Sequence, residues 1–244
     1  MSGSAKSLLF TAVLCVVCSL LLTAASSGLR PYQERNILID RHRNVLLAAG
    51  LIEPGRKLGE AEVEALYAGR IRELRVDPAG RILEGAERAR PEGLPLYLIQ
   101  EEGEVRGYIV PIDSRGLWGP IQAYLAIDRD GQTVKGFAVT RHAETPGLKG
   151  EIEKEWFRRN WMGKKIATRE GTFVSVAIAK GKVEEEVPEP KRPHYVDGIS
   201  GATMTGRFLT AGIRDSLSRY EPVSIRFRRN QIAEWEKTLP PARP

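Results

Sequence analysis

The sequence predicts an α+β domain behind a single membrane-spanning helix, and three observations carry that prediction. Leu8 to Ala25 is apolar or small without a charge, and its eighteen residues span about 27 Å as a helix, close to a bilayer's hydrocarbon thickness. Ile121–Ile127 and Thr133–Thr140 read as two strands joined by the turn Asp128-Arg-Asp-Gly-Gln, which makes an antiparallel hairpin. Strand-like segments elsewhere do not alternate regularly with helices. Helices segregated around an antiparallel sheet therefore fit better than a doubly wound parallel one.

Composition narrows the function classes. The 244 residues carry 37 basic and 31 acidic side chains, a net charge of +6 spread along the chain. With no arginine-rich helix, RNA-binding signature or zinc spacing, nucleic acid is not an expected partner. The two cysteines, Cys15 and Cys18, both sit inside the apolar run, where small apolar-compatible residues suit a membrane helix better than a redox pair. The rest of the chain has no thiolate for a disulfide or an iron–sulfur cluster. Three dispersed histidines (His42, His142, His194) suggest no metal site.

Taken in order, residues 1–29 form a short tail and anchor, and residues 30–244 a folded domain with a leading helix. A signal peptide competes for the first segment, since Lys6 precedes the run and Ala24-Ala25-Ser26-Ser27 resembles a cleavage site. The length of the run favours an uncleaved anchor. Charge does not orient it, because Lys6 lies before the span and Arg30, Arg35, Arg41 and Arg43 lie after it. Apolar positions from Tyr32 to Ile52 extend a helix that Gly50 and Pro54-Gly55 end. A second helix fits Gly59–Ala68. Ile71–Val76, Leu96–Gln100 and Val105–Ile112 read as strands, with Pro78–Pro91 a polar connection.

Gly116 and Gly119 bracket Leu117 and Trp118 on a flexible loop before the hairpin. After the hairpin, Arg141 to Gly150 contains Pro146-Gly147, an irregular loop whose backbone N–H groups could line a planar ligand or simply end a solvated strand. A helix running to Trp161, a strand at Phe173–Ala179 and a surface loop at Lys180–His194 complete this part.

Asp197-Gly-Ile-Ser-Gly-Ala-Thr-Met-Thr205 then feeds a helical apolar pattern (Phe208, Leu209, Ala211, Ile213, Leu217) reaching Arg219, with an amphipathic basic segment at Glu221–Thr238 beyond it. Two readings of this stretch stand side by side. Ser200 or Thr203 caps a helix, or the glycines and free N–H groups of a helix start seat a phosphate. It is neither a Walker loop nor a dinucleotide fingerprint.

Asp197-Gly-Ile-Ser-Gly-Ala-Thr203 resembles the flavinylation motif of the FMN-binding domain family. Pro111-Ile-Asp-Ser-Arg-Gly-Leu-Trp118 and His142-Ala-Glu-Thr-Pro-Gly-Leu148 precede it in the order characteristic of the NqrC family of the Na+-translocating NADH:quinone oxidoreductases. That resemblance implies a mixed α+β fold on one anchor and covalent FMN, esterified through its phosphate to Thr203. It also implies that Ser200, Gly201 and Ala202 shape the phosphate turn. Asp197 would order that turn or mark it for a flavin transferase. Glu144, Thr145, Gly147 and Leu148 would lie against the isoalloxazine, with Trp118 nearby. The implied partners are the other Nqr subunits (NqrA, NqrB, NqrD, NqrE and NqrF), above all NqrB, with the transferase and the lipid bilayer. The implied location is the bacterial inner membrane with the domain on the periplasmic side, and the implied role is an electron relay with no catalytic nucleophile and no metal. Two departures bear on local contacts: Asp113-Ser114-Arg115 replaces a glycine-rich turn, and Lys149 follows Pro-Gly-Leu where glycine is common.

Three other classes compete. An RnfG-type flavoprotein shares the attachment motif and lacks the other two blocks in this form. A membrane-anchored assembly protein would use the motif only as a cap. A hydrolase with Ser200 as nucleophile lacks the Gly-x-Ser-x-Gly elbow.

Overall fold

The computed structural model describes residues 3–143, 149–233 and 235. The chain divides into two compact units, residues 1–40 and 41–244. In the first unit, helix α1 (Gly3–Ala48) begins and runs unbroken through Pro31. Leu8, Leu9, Phe10, Leu20, Leu21 and Leu22 are all exposed, and no part of the most apolar stretch is buried. By length and composition this helix is able to cross a membrane. The hydroxyls of Thr11 and Thr23 donate to the carbonyls of Ser7 and Ser19 at 3.0 and 2.8 Å, which satisfies them within the helix.

The second unit begins with the end of α1, where Val45, Leu46, Ala48 and Ala49 are fully buried. Gly50 stops the helix at a φ of 71°, and the Leu51 N–H returns to the Leu46 carbonyl at 2.9 Å. Helix α2 (Glu60–Arg70) starts at Gly59, whose N–H reaches Glu62 Oε2 at 2.8 Å, and buries Val63 and Tyr67. Five strands follow: β1 (Ile71–Val76), β2 (Leu94–Glu101), β3 (Glu104–Arg115), β4 (Pro120–Asp128) and β5 (Val134–Arg141). They pair antiparallel in sequence order. This is the α+β architecture that the hairpin and the absence of βαβ alternation predict.

Period-2 alternation sends Leu96, Leu98, Tyr108, Val110, Ile112, Ile121 and Leu125 into one core with Leu209, Ile213, Leu217, Val223 and Phe227 of α5 (Thr203–Arg228). Tyr108 and Phe227 lie 4.5 Å apart ring to ring, and the Tyr108 hydroxyl pairs with Ser224 Oγ at 2.7 Å. At Gly136 of β5 the backbones come so close that a Cβ there would overlap the Ala48 carbonyl oxygen.

Five expectations need correction. The helix expected to run to Trp161 is a 3-10 turn at Lys149–Glu153 followed by the short α3 (Glu155–Arg159). The strand expected at Phe173–Ala179 shrinks to β6 (Ala177–Ile178), paired in parallel with β7 (Tyr195–Val196). Ser175 sits at a φ of 76°, and both it and Val174 donate to the Ile166 carbonyl, so the alternation breaks there. Lys180–His194 is not a plain loop, since it holds α4 (Val183–Glu186) and a 3-10 turn at Glu189–His194.

The fourth correction concerns α5, which does not end at Arg219. It passes through Pro222 because Tyr220, Val223 and Phe227 are all buried beyond or beside the proline. Burying such side chains contributes about 1.5–3 kcal/mol each, enough together to offset the roughly 3 kcal/mol cost of an internal proline. Ser114, expected at an exposed turn, lies inside β3 and is only 8% exposed.

Candidate functional site

The turn that opens α5 combines two buried residues with three exposed ones. Ile199 and Ala202 are buried and pin it to the core, while Ser200, Gly201 and Thr203 face solvent. Gly201 takes a φ of 74°, a conformation that glycine adopts without strain. The Ala202 N–H closes the turn on the Ile199 carbonyl at 3.0 Å, and Gly206 is the first to reach back to Ala202, at 2.9 Å. Ala202 is the N-cap residue, and no side chain caps the helix. Capping by Ser200 or Thr203 is therefore not what this stretch does.

The consequence is electrostatic. A 26-residue helix presents its positive end with no acidic residue in the first turn. The Thr203 and Met204 N–H groups point out of the first turn, where no carbonyl of the helix can accept them. Thr203 is exposed beside them, whereas Thr205, two residues on, is completely buried. Donors, dipole and an accessible hydroxyl suit a phosphate monoester or diester, and the donor set fits the phosphate of FMN.

The sheet brings the Pro111–Trp118 motif to the same end. The β3–β4 turn closes through the Gly116 N–H and the Gly119 carbonyl at 2.7 Å, with Trp118 67% exposed and Leu117 half-exposed. A Cβ on Gly119 would lie 2.9 Å from that of Ala143, so this turn packs on the segment leaving β5. Helix α5 is tied to the end of β3 by the Ser114 hydroxyl, which donates to the Phe208 carbonyl at 2.8 Å. Ile152, beyond the β5 loop, lines a small recess with Ala202, Thr203 and Gly206. His142 Nε2 and Glu153 Oε2, 3.2 Å apart, bridge the two ends of that loop. Glu144, Thr145, Gly147 and Leu148 lie outside the described residues.

Asp197 stands apart from the exposed turn. Its Oδ1 accepts the Val183 N–H at 2.8 Å, and it borders a cleft of about 510 Å³ with Lys164, Lys182 and Arg192. Burial holds the Lys164 ammonium below its ordinary pKa, and the Asp197 charge partly opposes that. Ser114, Val183 and Lys164 were not identifiable as site neighbours in the sequence. Their partners are 94, 14 and 33 positions away, and no short motif encodes such pairings.

The fold and the turn define a class, an FMN-binding domain, and the model of that domain family matches residues 116–218. The chain is 35% identical to the NqrC subunit of the Na(+)-translocating NADH-quinone reductase of Yersinia pestis, covering 87% of this chain and 86% of that protein. It is 32% identical to the NqrC of Pseudomonas aeruginosa, covering 84% and 88%. The crystal structure of NqrC from Parabacteroides distasonis superposes with a TM-score of 0.68 at 30% identity, over 80% of this chain and 96% of that one. The chain belongs to the NqrC family of the Na(+)-translocating NADH-quinone reductases.

Proposed function

We propose that the chain is the electron-relay subunit of a Na+-pumping NADH:quinone oxidoreductase and carries FMN through a phosphoester to Thr203 Oγ1. The observation that carries this reading is the exposed Thr203 hydroxyl at the uncapped start of a long helix. FMN supplies the redox chemistry when bound; the chain's residues hold and orient it. The N–H groups of the first turn hold the phosphate anion, and Ser200, Gly201 and Ala202 shape the turn around it. Trp118 offers a broad apolar face for a planar ring, and Glu144, Thr145, Gly147 and Leu148 complete that wall by family resemblance. Attachment would form a Thr203 Oγ1–phosphorus bond as the bond from phosphorus to its leaving group breaks and the hydroxyl proton departs, so the residue gains the mass of one FMN less one water.

Residues 1–29 serve as tail and anchor and residues 30–244 as the flavin domain, held on the periplasmic side of the inner membrane. The partners are the remaining members of the complex, NqrA, NqrB, NqrD, NqrE and NqrF, with NqrB accepting the electrons. A flavin transferase matures the chain.

Co-expression with a flavin transferase followed by tandem mass spectrometry of the peptide from Pro193 tests the reading. The expected result is the FMN-minus-water adduct on Thr203, lost in Thr203→Val. An unmodified peptide beside an active transferase would overturn it and leave a flavin-free assembly protein. An adduct on Thr205 would move the site.

A further inference from the structure

The sequence around Thr203 divides into two halves with opposite surroundings. Ser200 and Thr203 are exposed, whereas Asp197 and Gly198 face the chain segment 179–183. Four contacts zip that segment to residues 196–198. The Ala179 N–H donates to the Val196 carbonyl at 2.9 Å, and the Gly198 N–H donates to the Gly181 carbonyl at 2.8 Å. The Val183 N–H donates to Asp197 Oδ1 at 2.8 Å. Gly198 lies so close that a Cβ would overlap the Ala179 carbonyl oxygen and sit 2.6 Å from that of Lys180.

Val183 is the first residue of α4, and Lys182 before it provides no side-chain cap. The Asp197 carboxylate thus does for that turn what an N-cap side chain ordinarily does, from 14 residues away. Three residues beyond Gly198 the chain enters the positive-φ glycine that aims Thr203 outward. The Asp197 bond is one of the contacts that hold residues 196–198, from which this turn departs.

We infer that Asp197 and Gly198 are positioning residues for the attachment site. They act through the Val183 N–H and the Gly181 carbonyl rather than by touching phosphate, flavin or the modifying enzyme. The inference rests on the Thr203 attachment reading and deepens it. Its consequence is specific: the acceptor oxygen of Asp197 is required and its charge is not. Asp197→Asn keeps an acceptor at that position, and Asp197→Ala removes it. Val183→Pro removes the donor instead, at a first-turn position where proline's fixed φ suits a helix. Val183→Ala keeps the donor and controls for the lost buried side chain.

The experiment uses the full chain co-expressed with a flavin transferase, following flavin incorporation by in-gel fluorescence. Hydrogen exchange of the Gly198–Thr203 amides is measured on the unflavinylated chain. Asp197→Asn and Val183→Ala are expected within about twofold of wild type, and Asp197→Ala and Val183→Pro to slow incorporation about tenfold, the size of one lost hydrogen bond. The double variant Asp197→Ala/Val183→Pro should be no slower than either single one, because both remove the same bond. Both singles should also speed exchange at Gly198.

Asp197→Asn as slow as Asp197→Ala would show that the charge itself is read, and would overturn the inference. So would Val183→Pro at the wild-type rate or unchanged Gly198 exchange in Asp197→Ala. No flavin on the wild-type chain beside a demonstrably active transferase would instead sink the attachment reading, and the exchange data alone would then decide the positioning role.

Discussion

Gly212→Ala sets two opposing effects of known size against each other. In an exposed helix the change is favourable by about 1 kcal/mol, because alanine restricts the unfolded backbone and suits the helix. Here Gly212 is half-buried against β3, and a Cβ would overlap Ser114 Cβ and Oγ and lie 2.7 Å from Ser114 Cα. The strand backbone cannot rotate away as a flexible side chain would, so α5 must lift. Overpacking of that kind costs about 1–3 kcal/mol. Lifting also breaks the Ser114–Phe208 hydrogen bond, worth about 1 kcal/mol.

The sum is a net destabilisation of about 1–3 kcal/mol, or roughly 3–10 °C in melting temperature for a domain of this size. Tryptophan-monitored melting of the detergent-solubilised full chain measures it. Gly206→Ala is the control, since its Cβ would meet only the Ile178 side chain, at 3.3 Å, and should be neutral or stabilising. Ser114→Gly removes the Cβ and Oγ overlaps and leaves only the closer-than-contact Cα, so the double variant with Gly212→Ala should be more stable than the sum of the singles by about 1 kcal/mol. Phe208 is five residues beyond Thr203, roughly 7.5 Å along the axis, so the same lift should slow flavin attachment. A Gly212→Ala chain as stable as wild type would refute the close-approach argument.

Other outcomes follow from burial and charge. Thr203→Val should leave the urea midpoint unchanged, whereas Thr205→Val, at a fully buried position, should cost about 1 kcal/mol; equal effects would contradict their opposite exposure. Burial works to raise the Asp130 carboxyl, but bonds from the Thr133 hydroxyl and from the Gln132 and Thr133 N–H groups hold it below its ordinary pKa. A depressed carboxylate stabilises above its unfolded value near pH 3.9 and loses that contribution as pH falls through the folded value. Urea midpoints should therefore fall more steeply with acidification in wild type than in Asp130→Asn, and parallel curves would exclude the linkage. In a chain with Cys15 and Cys18 replaced by serine, Glu170→Cys, at an exposed surface position, should react with a membrane-impermeant maleimide in spheroplasts. Reaction only in inverted vesicles would reverse the proposed orientation.

The sequence by itself determined the local patterns. Eighteen uncharged residues specify an apolar helix, alternation with Asp128-Arg-Asp-Gly-Gln specifies the β4–β5 hairpin, and small residues before Phe208 specify a turn feeding a helix. Each follows from a period of 2 or 3.6 residues, or from turn chemistry, within a short window. Helical spacing likewise separated Thr203 from Thr205, because residues two apart face different ways. Tertiary structure alone decided which of them faces the core, since that depends on how α5 rotates against β3 at Gly212 and Ser114. It also carried α5 through Pro222, where burial of Val223 and Phe227 outweighs a local preference to stop. It broke the strand at Ser175 and gave Asp197 its partner in Val183. These outcomes rest on groups meeting across 9 to 98 positions, and such a meeting leaves no periodicity or turn signal in the residues that make it.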